Sequence, residues 1–105
     1  MTTEVWKNEE KQRYEIWVEG VQNGFLDYTL DNETYALTHT EVFKEFGGSG
    51  VGMQFVVGVL EQIRDEGAKA LPYCPFIPKV ILDHPEFVGL VPEAERARFG
   101  LAKKG

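Results

Sequence analysis

Cysteine, cationic residues and long apolar runs are all scarce in this sequence of 105 residues. The single cysteine, Cys74, excludes an internal disulfide and predicts a reducing compartment, the cytoplasm. Eleven Lys and Arg against seventeen Asp and Glu give a net charge of −6, which argues against a nucleic-acid partner because phosphates are neutralised by clustered cations. No segment approaches the roughly 18 apolar residues needed to span a bilayer, and the first residues lack the pattern of a signal peptide. We therefore expect neither nucleic acid nor membrane as a partner.

The residues that are present predict one globular domain. A hydrophobic content of 43% with seven Phe supplies a core, and two cores would each be too small to be stable in a chain of this length. We expect one domain over residues 1–105, with a core at about 11–91 and a charged tail at 92–105 that frays at 103–105. A monomer or a weak homodimer is expected.

Hydrophobic periodicity predicts an α+β fold. Residues with a period of two predict strands, whereas Met53 and the apolar residues after it recur at helical spacing. The predicted order is three strands, a helix, a strand and a helix, over residues 11–18, 21–30, 34–42, 53–66, 68–73 and 75–82. This is an antiparallel meander followed by α-β-α in a mixed sheet. Strict alternation in the third strand would place Tyr35, Leu37, His39 and Glu41 on one side.

A glycine cluster separates the third strand from the first helix. Gly47-Gly48-Ser49-Gly50-Val51-Gly52 can turn the backbone so that several N–H groups converge, and the helix N-terminus adds a favourable field for an anion. Met53 follows the last glycine where a Walker A motif needs Lys, and Phe55 occupies the last glycine position of a dinucleotide fingerprint. The cluster predicts a phosphate cradle of another kind, and a flexible connection that binds nothing is the alternative.

The motifs resemble the short YjdJ-like branch of the GNAT superfamily of N-acetyltransferases. The resemblance rests on His39-Thr40-Glu41-Val42, Gly48-x-Gly50-x-Gly52, Cys74-Pro75-Phe76 and His84-Pro85-Glu86, and it covers roughly residues 14–91. Family members usually carry Arg at the position of Gly47 and often at that of Ser49, so the backbone amides alone would hold the phosphates here. The resemblance implies a compact fold in which the strands ending at Val42 and Tyr73 splay apart.

The resemblance also implies acetyl-CoA as the co-substrate, bound in the gap between the splayed strands. An amine of unidentified structure would be the acceptor, and a backbone N–H near Val42 would donate to the thioester oxygen. The implied binding residues are Glu41, Val42, Gly47, Gly48, Ser49, Gly50, Val51, Gly52, Met53, Cys74, Pro75, Phe76 and Lys79. Because the chain begins almost directly with strands, we expect the acceptor side to be open or completed by a second subunit.

The candidate catalytic residues are His39, Glu41 and Cys74. His39 and Glu41 are two apart on a strand and share a face, so either can deprotonate an amine directly or through water. Cys74 has three alternatives: an acid for the leaving thiolate, a nucleophile that carries the acetyl group, or an inert packed residue. The resemblance favours a role at the site, with Tyr73 as a second candidate acid.

His84 and Lys79 each have a structural alternative, and four of the candidate residues could also form a metal site. His84 before Pro85 is typical of a structural hydrogen-bonding residue, and Lys79 either meets the adenosine phosphates or is solvated. The set His39, Glu41, Cys74 and His84 lacks the short paired spacings of a zinc site, so no metal is expected.

Three functions are expected from the glycine loop together with what the resemblance implies. The chain is expected to be an acetyl-CoA-dependent N-acyltransferase. The alternative is a CoA-binding or interaction module with little turnover, which the missing loop arginines favour. The third is a structural domain whose loop binds nothing.

Overall fold

The computed structural model describes residues 2–101, which form one five-stranded sheet with helices against it. The spatial order of the strands is the order in the chain: β1 Thr3–Asn8, β2 Arg13–Val18, β3 Val21–Asp31, β4 Thr34–Val42 and β5 Lys69–Pro72. The helices are α1 Val51–Asp65 and α2 Phe76–Asp83, and 3-10 turns lie at Lys44–Phe46, Pro85–Leu90, Glu93–Glu95 and Ala97–Phe99. The predicted α+β class with a mixed sheet is confirmed.

The antiparallel meander has four strands, one more than predicted. β1 pairs with β2 from Thr3 opposite Val18 to Asn8 opposite Arg13. Charged and polar residues flank the apolar pair Val5-Trp6, which hides the strand period in the sequence. The predicted core limits of 11–91 were therefore too narrow, because Val5 packs on the core and Leu101 is buried. The predicted fraying at 103–105 lies outside the described residues.

Helix α1 packs across one face of the sheet. Its buried residues follow the helical period and are Val51, Phe55, Val56, Val59, Leu60 and Ile63. It begins two residues before the predicted start, directly after Gly50 in the left-handed region at φ 80°. Val5 of β1 packs against Gly58, where an added Cβ would come within 2.9 Å of the valine methyl. Among the described residues, no helix is long and apolar enough to cross a membrane.

A β-bulge in β4 changes which side chains face α1. Tyr28 of β3 pairs with Leu37 and the preceding Asp27 pairs with His39, so Thr38 is an extra residue in β4. Beyond the bulge, Thr40 and Val42 continue the face of buried Leu37, and His39 and Glu41 turn to the other face. The alternation predicted for this strand was wrong beyond Leu37, since a bulge reverses the period of two.

β4 and β5 separate beyond a short parallel ladder. The ladder joins Thr34–Leu37 to Lys69–Pro72, and the Cys74 N–H donates to the Leu37 carbonyl oxygen at 3.0 Å. β4 continues to Val42, whereas the chain after β5 turns into α2. The end of β4 consequently has β3 on one side and no paired strand on the other. The splaying that the resemblance implies is represented here by β4 continuing past the end of β5, because all four residues of β5 are paired with β4.

Candidate functional site

A cavity of about 460 Å³ lies at the place where β4 and β5 separate. Its walls are the end of β4, the glycine loop, the first turn of α1 and the start of α2, and the lining residues are Thr40, Val42, Phe46, Gly47, Gly48, Gly50, Val51, Gly52, Met53 and Phe76. None of these side chains carries a charge. The volume is within the range of small-molecule sites in proteins, about 300–1,000 Å³.

The glycine loop and the first turn of α1 line this cavity and leave backbone N–H groups without partners in the helix. Gly48 and Gly50 have φ of 81° and 80°, a conformation that side chains with a Cβ seldom adopt. The first hydrogen bond of α1 runs from the Gln54 N–H to the Gly50 carbonyl oxygen, so the three amides before Gln54 have no carbonyl partner within the helix. These amides and the helix dipole favour an anion at this end of the cavity.

Gly52 forms part of the cavity floor. An added Cβ would lie 3.4 Å from the Phe76 ring and 3.6 Å from the Val42 side chain. Glycine at residue 52 therefore leaves the space between the Val42 and Phe76 side chains unfilled.

The end of β4 presents backbone groups to the gap. The Phe43 N–H donates to the Asn23 carbonyl oxygen of β3 at 2.8 Å. Because backbone groups alternate in direction along an antiparallel strand, the N–H groups of Val42 and Thr40 point away from β3. The Val42 N–H is thus directed into the gap, as the resemblance implies for a donor to the thioester oxygen.

His39 and Glu41 lie together on the face of the sheet opposite α1. Their side chains approach to 3.4 Å between Nε2 and Oε1 and are 57% and 50% exposed. The His39 ring lies 6.0 Å from the Phe25 ring. The cavity side chains and this pair are on opposite faces of one strand, so the structure does not place Glu41 among the cavity residues. A group in the gap would have the cavity on one side and the His39–Glu41 pair on the other.

Cys74 and Tyr73 follow β5. Cys74 is 7% exposed and belongs to the hydrophobic core, and its side chain is not in the cavity lining. Tyr73 is 43% exposed, and its ring packs against Phe99 at 5.4 Å and lies 5.1 Å from the Arg98 guanidinium. The thiol is therefore near the start of the gap but packed beneath it.

Other predicted site residues lie outside the cavity. The Ser49 hydroxyl donates to the Phe46 carbonyl oxygen at 2.7 Å, and Pro75 and Lys79 are exposed and do not line it. His84 lies 3.7 Å from the Glu86 carboxylate, and it borders an open groove beside Gly50.

Thr40 and Phe46 line the cavity and were missed as site residues. Phe46 directly precedes Gly47, and Thr40 is two residues from Val42 on the same face. The alternation around Val42 would have indicated Thr40, whereas nothing in the pattern distinguished Phe46 from a core residue.

Within residues 2–101, no group of three or more His, Cys, Asp and Glu is placed to hold a metal ion. His39 and Glu41 are adjacent, but Cys74 is buried at the end of β5 and His84 lies beyond α2.

Comparisons with known proteins agree with this architecture. The sequence profile described as GCN5-related N-acetyl-transferase matches residues 13–90. An NMR solution structure of a GCN5-like protein from Staphylococcus aureus superimposes with a TM-score of 0.62 at 23% identity, covering 85% of this chain and 87% of that one. No curated protein matches the sequence. The structural likeness shows that the two proteins share a fold. Because the profile covers most of the chain, this protein belongs to the GCN5-related N-acetyltransferase family.

Proposed function

We propose that the protein binds acetyl-CoA in the gap between β4 and β5 and transfers the acetyl group to a primary amine. The observation that carries the proposal is the end of the β4–β5 ladder at Leu37 and Pro72, beside a cavity whose far end is the glycine loop. Family membership supports the reaction class, and the uncharged cavity fits the pantetheine part of the co-substrate.

The pyrophosphate would be held by backbone amides. Gly48 and Gly50 shape the loop, and the amides of Val51, Gly52 and Met53 supply donors at the helix N-terminus. The unpaired edge of β4 beyond Leu37 would receive the amide groups of pantetheine, as a parallel strand would. Lys79 would act only at the adenosine end, because it is exposed and outside the cavity.

The transfer step uses both faces of β4. The amine nitrogen attacks the thioester carbonyl carbon, the C–S bond breaks, and the Val42 N–H donates to the carbonyl oxygen as its charge develops. The His39–Glu41 pair, on the acceptor side, accepts the proton that the amine loses, directly or through water. The CoA thiolate leaves and takes up a proton, so that an amide and free CoA are the products.

A CoA-binding module with little turnover is the second candidate. The buried position of Cys74 favours it, since this thiol is not presented to the cavity. The lack of a cation at Gly47 and Ser49, where family members usually or often carry Arg, also favours weaker binding of the phosphates.

Thermal unfolding with acetyl-CoA, together with assay of free thiol, tests the proposal. Acetyl-CoA at a hundredfold excess over its dissociation constant should stabilise the fold by about 2.7 kcal/mol, and an amine acceptor should release thiol. If acetyl-CoA stabilised the fold but no amine caused thiol release, the result would support the CoA-binding module. No stabilisation at millimolar acetyl-CoA would overturn both candidates.

The YjdJ-like branch, the cytoplasmic location and the monomer or weak homodimer stay predictions. The single free cysteine fits a reducing compartment.

A further inference from the structure

The face of β1–β4 opposite α1, here called the open face, carries the His39–Glu41 pair. Strand alternation and the pairing registers place one row of side chains across four strands, from Trp6 through Glu15 and Phe25 to Glu41. With neighbouring strands about 4.8 Å apart, this row is roughly 14 Å long. It ends at the gap where the acetyl group would lie.

Aromatic side chains give the open face its contact area. Trp6 is 51% exposed, and its ring stacks on Trp17 with centroids 5.4 Å apart. Nearer to the gap, the Phe25 ring lies between His39 at 6.0 Å and Phe43 at 6.2 Å. Trp6 is exposed, whereas Trp17, Phe25 and Phe43 are partly buried. Aromatic side chains are typical anchors of protein interfaces.

A buried carboxylate fixes this surface in place. Glu15 is 5% exposed and accepts hydrogen bonds from Arg13 Nε at 2.9 Å, Trp17 Nε1 at 3.1 Å and Asn8 Nδ2 at 3.1 Å. Burial alone would raise the pKa of Glu15, but these hydrogen bonds outweigh it and hold the pKa below its usual value. The Trp17 ring and the Arg13 guanidinium are thus held in one arrangement before any partner binds.

The open face is acidic. On β1–β4 its charged side chains other than His39 are one guanidinium, that of Arg13, against the carboxylates of Glu4, Glu15, Asp27, Asp31 and Glu41. Arg13 is itself paired with Glu15. A partner that complements this face carries positive charge.

We infer that the acceptor is a lysine side chain within a basic protein segment that lies across the open face. This inference rests on the proposed function. Sites for small molecules enclose most of their ligand, whereas His39 and Glu41 are each at least half exposed and Trp6 is half exposed. A face that is shallow, aromatic and acidic fits an extended cationic segment. The lysine nitrogen would lose its proton to the His39–Glu41 pair and form the new amide, with free CoA as the other product.

Tryptophan fluorescence tests this inference directly, because Trp6 and Trp17 are the two tryptophans of the chain. The probe is a blocked peptide of Gly, Lys and Arg without aromatic residues. There are two comparison ligands. One is a peptide in which Glu replaces the cationic residues other than the acceptor Lys, and the other is spermidine, a free amine. The basic peptide should change the emission saturably and bind at least tenfold more tightly than either comparison, and added salt should weaken it.

Charge-neutralised variants locate the peptide. Asp27→Asn with Glu41→Gln should weaken basic-peptide binding roughly three- to tenfold, whereas Asp65→Asn, an exposed carboxylate on α1, should leave it unchanged. Equal weakening by Asp65→Asn would show an effect of net charge alone and overturn the assignment to this face. Trp6→Ala should weaken binding as well, with Leu82→Ala, which removes an exposed leucine from α2, as its control.

Separate measurements distinguish this inference from the proposed function. Stabilisation by acetyl-CoA with no peptide-induced change in emission at millimolar peptide would overturn the lysine-segment acceptor and leave acetyl-CoA binding intact. Binding of spermidine as tight as that of the basic peptide would assign the site to a free amine instead. Concentration-dependent self-association that abolishes peptide binding would assign the open face to a second copy. Peptide binding without any acetyl-CoA binding would overturn the proposed function but would still show that the open face binds basic peptides.

Discussion

Gly52 occupies the point where β4, α1 and α2 come together around the cavity. A side chain at this position would contact the Phe76 ring and the Val42 methyl across the cavity floor. Its backbone is helical, so a residue with a Cβ is allowed there and improves on glycine in helix propensity. The fold should therefore tolerate a larger residue that the ligand does not.

Gly52→Val should abolish most acetyl-CoA binding and keep the native circular dichroism spectrum. The valine fills space next to the amides that would hold the pyrophosphate, so we expect at least a tenfold loss of affinity, or about 1.4 kcal/mol, by isothermal titration calorimetry. Gly89→Val, at a position with open space around it, is the control. Retained affinity in folded Gly52→Val would place the ligand elsewhere.

Cys74 is a residue whose burial decides among its three alternatives. At 7% exposure Cys74 belongs to the hydrophobic core, and its side chain does not line the cavity. The packed alternative is thus the one that its surroundings favour, although its backbone N–H reaches Leu37 at the start of the gap.

Cys74→Ala and Cys74→Ser should lower stability by about 1 kcal/mol and keep the rate of thiol release. The measurements are chemical denaturation and a thiol assay with saturating acetyl-CoA. If folded Cys74→Ala were inactive and Cys74→Ser partly active, the result would instead show that Cys74 is the acid. An acetyl group on wild type by intact mass spectrometry, absent from Cys74→Ala, would show that it is the nucleophile.

Three elements are joined by a polar network at the far end of α1. Lys7 Nζ of β1 donates to the Tyr35 hydroxyl of β4 at 2.8 Å, and that hydroxyl donates to Glu66 Oε1 at 2.7 Å. Lys7 Nζ also lies 3.0 Å from Glu66 Oε2. Burial would raise the pKa of Glu66, but the hydrogen bonds from Tyr35 and Lys7 outweigh it and lower the pKa.

Glu66→Gln should lower stability at neutral pH and flatten its loss in acid. Because the pKa of Glu66 is lower in the folded state, its contribution is complete above the unfolded value of about 4.3 and disappears as the pH falls through the folded value. The side chain is 40% exposed, so solvent screening limits the effect to about 1 kcal/mol or less. Urea denaturation between pH 3 and 7 measures it, with Asp65→Asn as the exposed control. Parallel pH profiles for wild type and Glu66→Gln would contradict this role.

Apart from β1, whose period is hidden by polar residues, the element types were predictable from periodicity, but deviations from regular strands were not. β2 and α1 have clear apolar periods, and Gly67 marks the end of α1 with φ of 75°. The bulge at Thr38 leaves no sequence signal, because any residue can occupy it, and it moves His39 and Glu41 away from the cavity. Burial of Cys74 likewise depends on how α2 packs after β5, which local sequence does not determine.

The whole molecule is acidic, and its co-substrate would be an anion. The net charge of −6 opposes phosphate binding at long range, while the cavity itself offers no cationic side chain. Affinity then depends on backbone amides at one helix end, so a cation placed beside the loop should have a measurable effect.

Gly47→Arg should tighten acetyl-CoA binding about three- to tenfold, the effect of roughly 1 kcal/mol from an exposed charge-assisted contact. Gly47 has φ of −66° and ψ of 148°, which any residue adopts, and an added Cβ meets only the Lys44 carbonyl oxygen at an ordinary 3.4 Å. Gly48 at φ 81° would be strained by the same change. Calorimetry at 50 and 300 mM salt should show the gain shrinking with salt.

Gly89→Arg is the matched control for this substitution. It makes the same change in net charge at a position with open space, within the 3-10 turn Pro85–Leu90 after α2. If the gain came from overall charge alone, both variants would tighten binding equally. A local contact at the loop instead predicts tightening by Gly47→Arg and little change with Gly89→Arg. Unchanged or weaker binding by folded Gly47→Arg would show that residue 47 does not face the pyrophosphate.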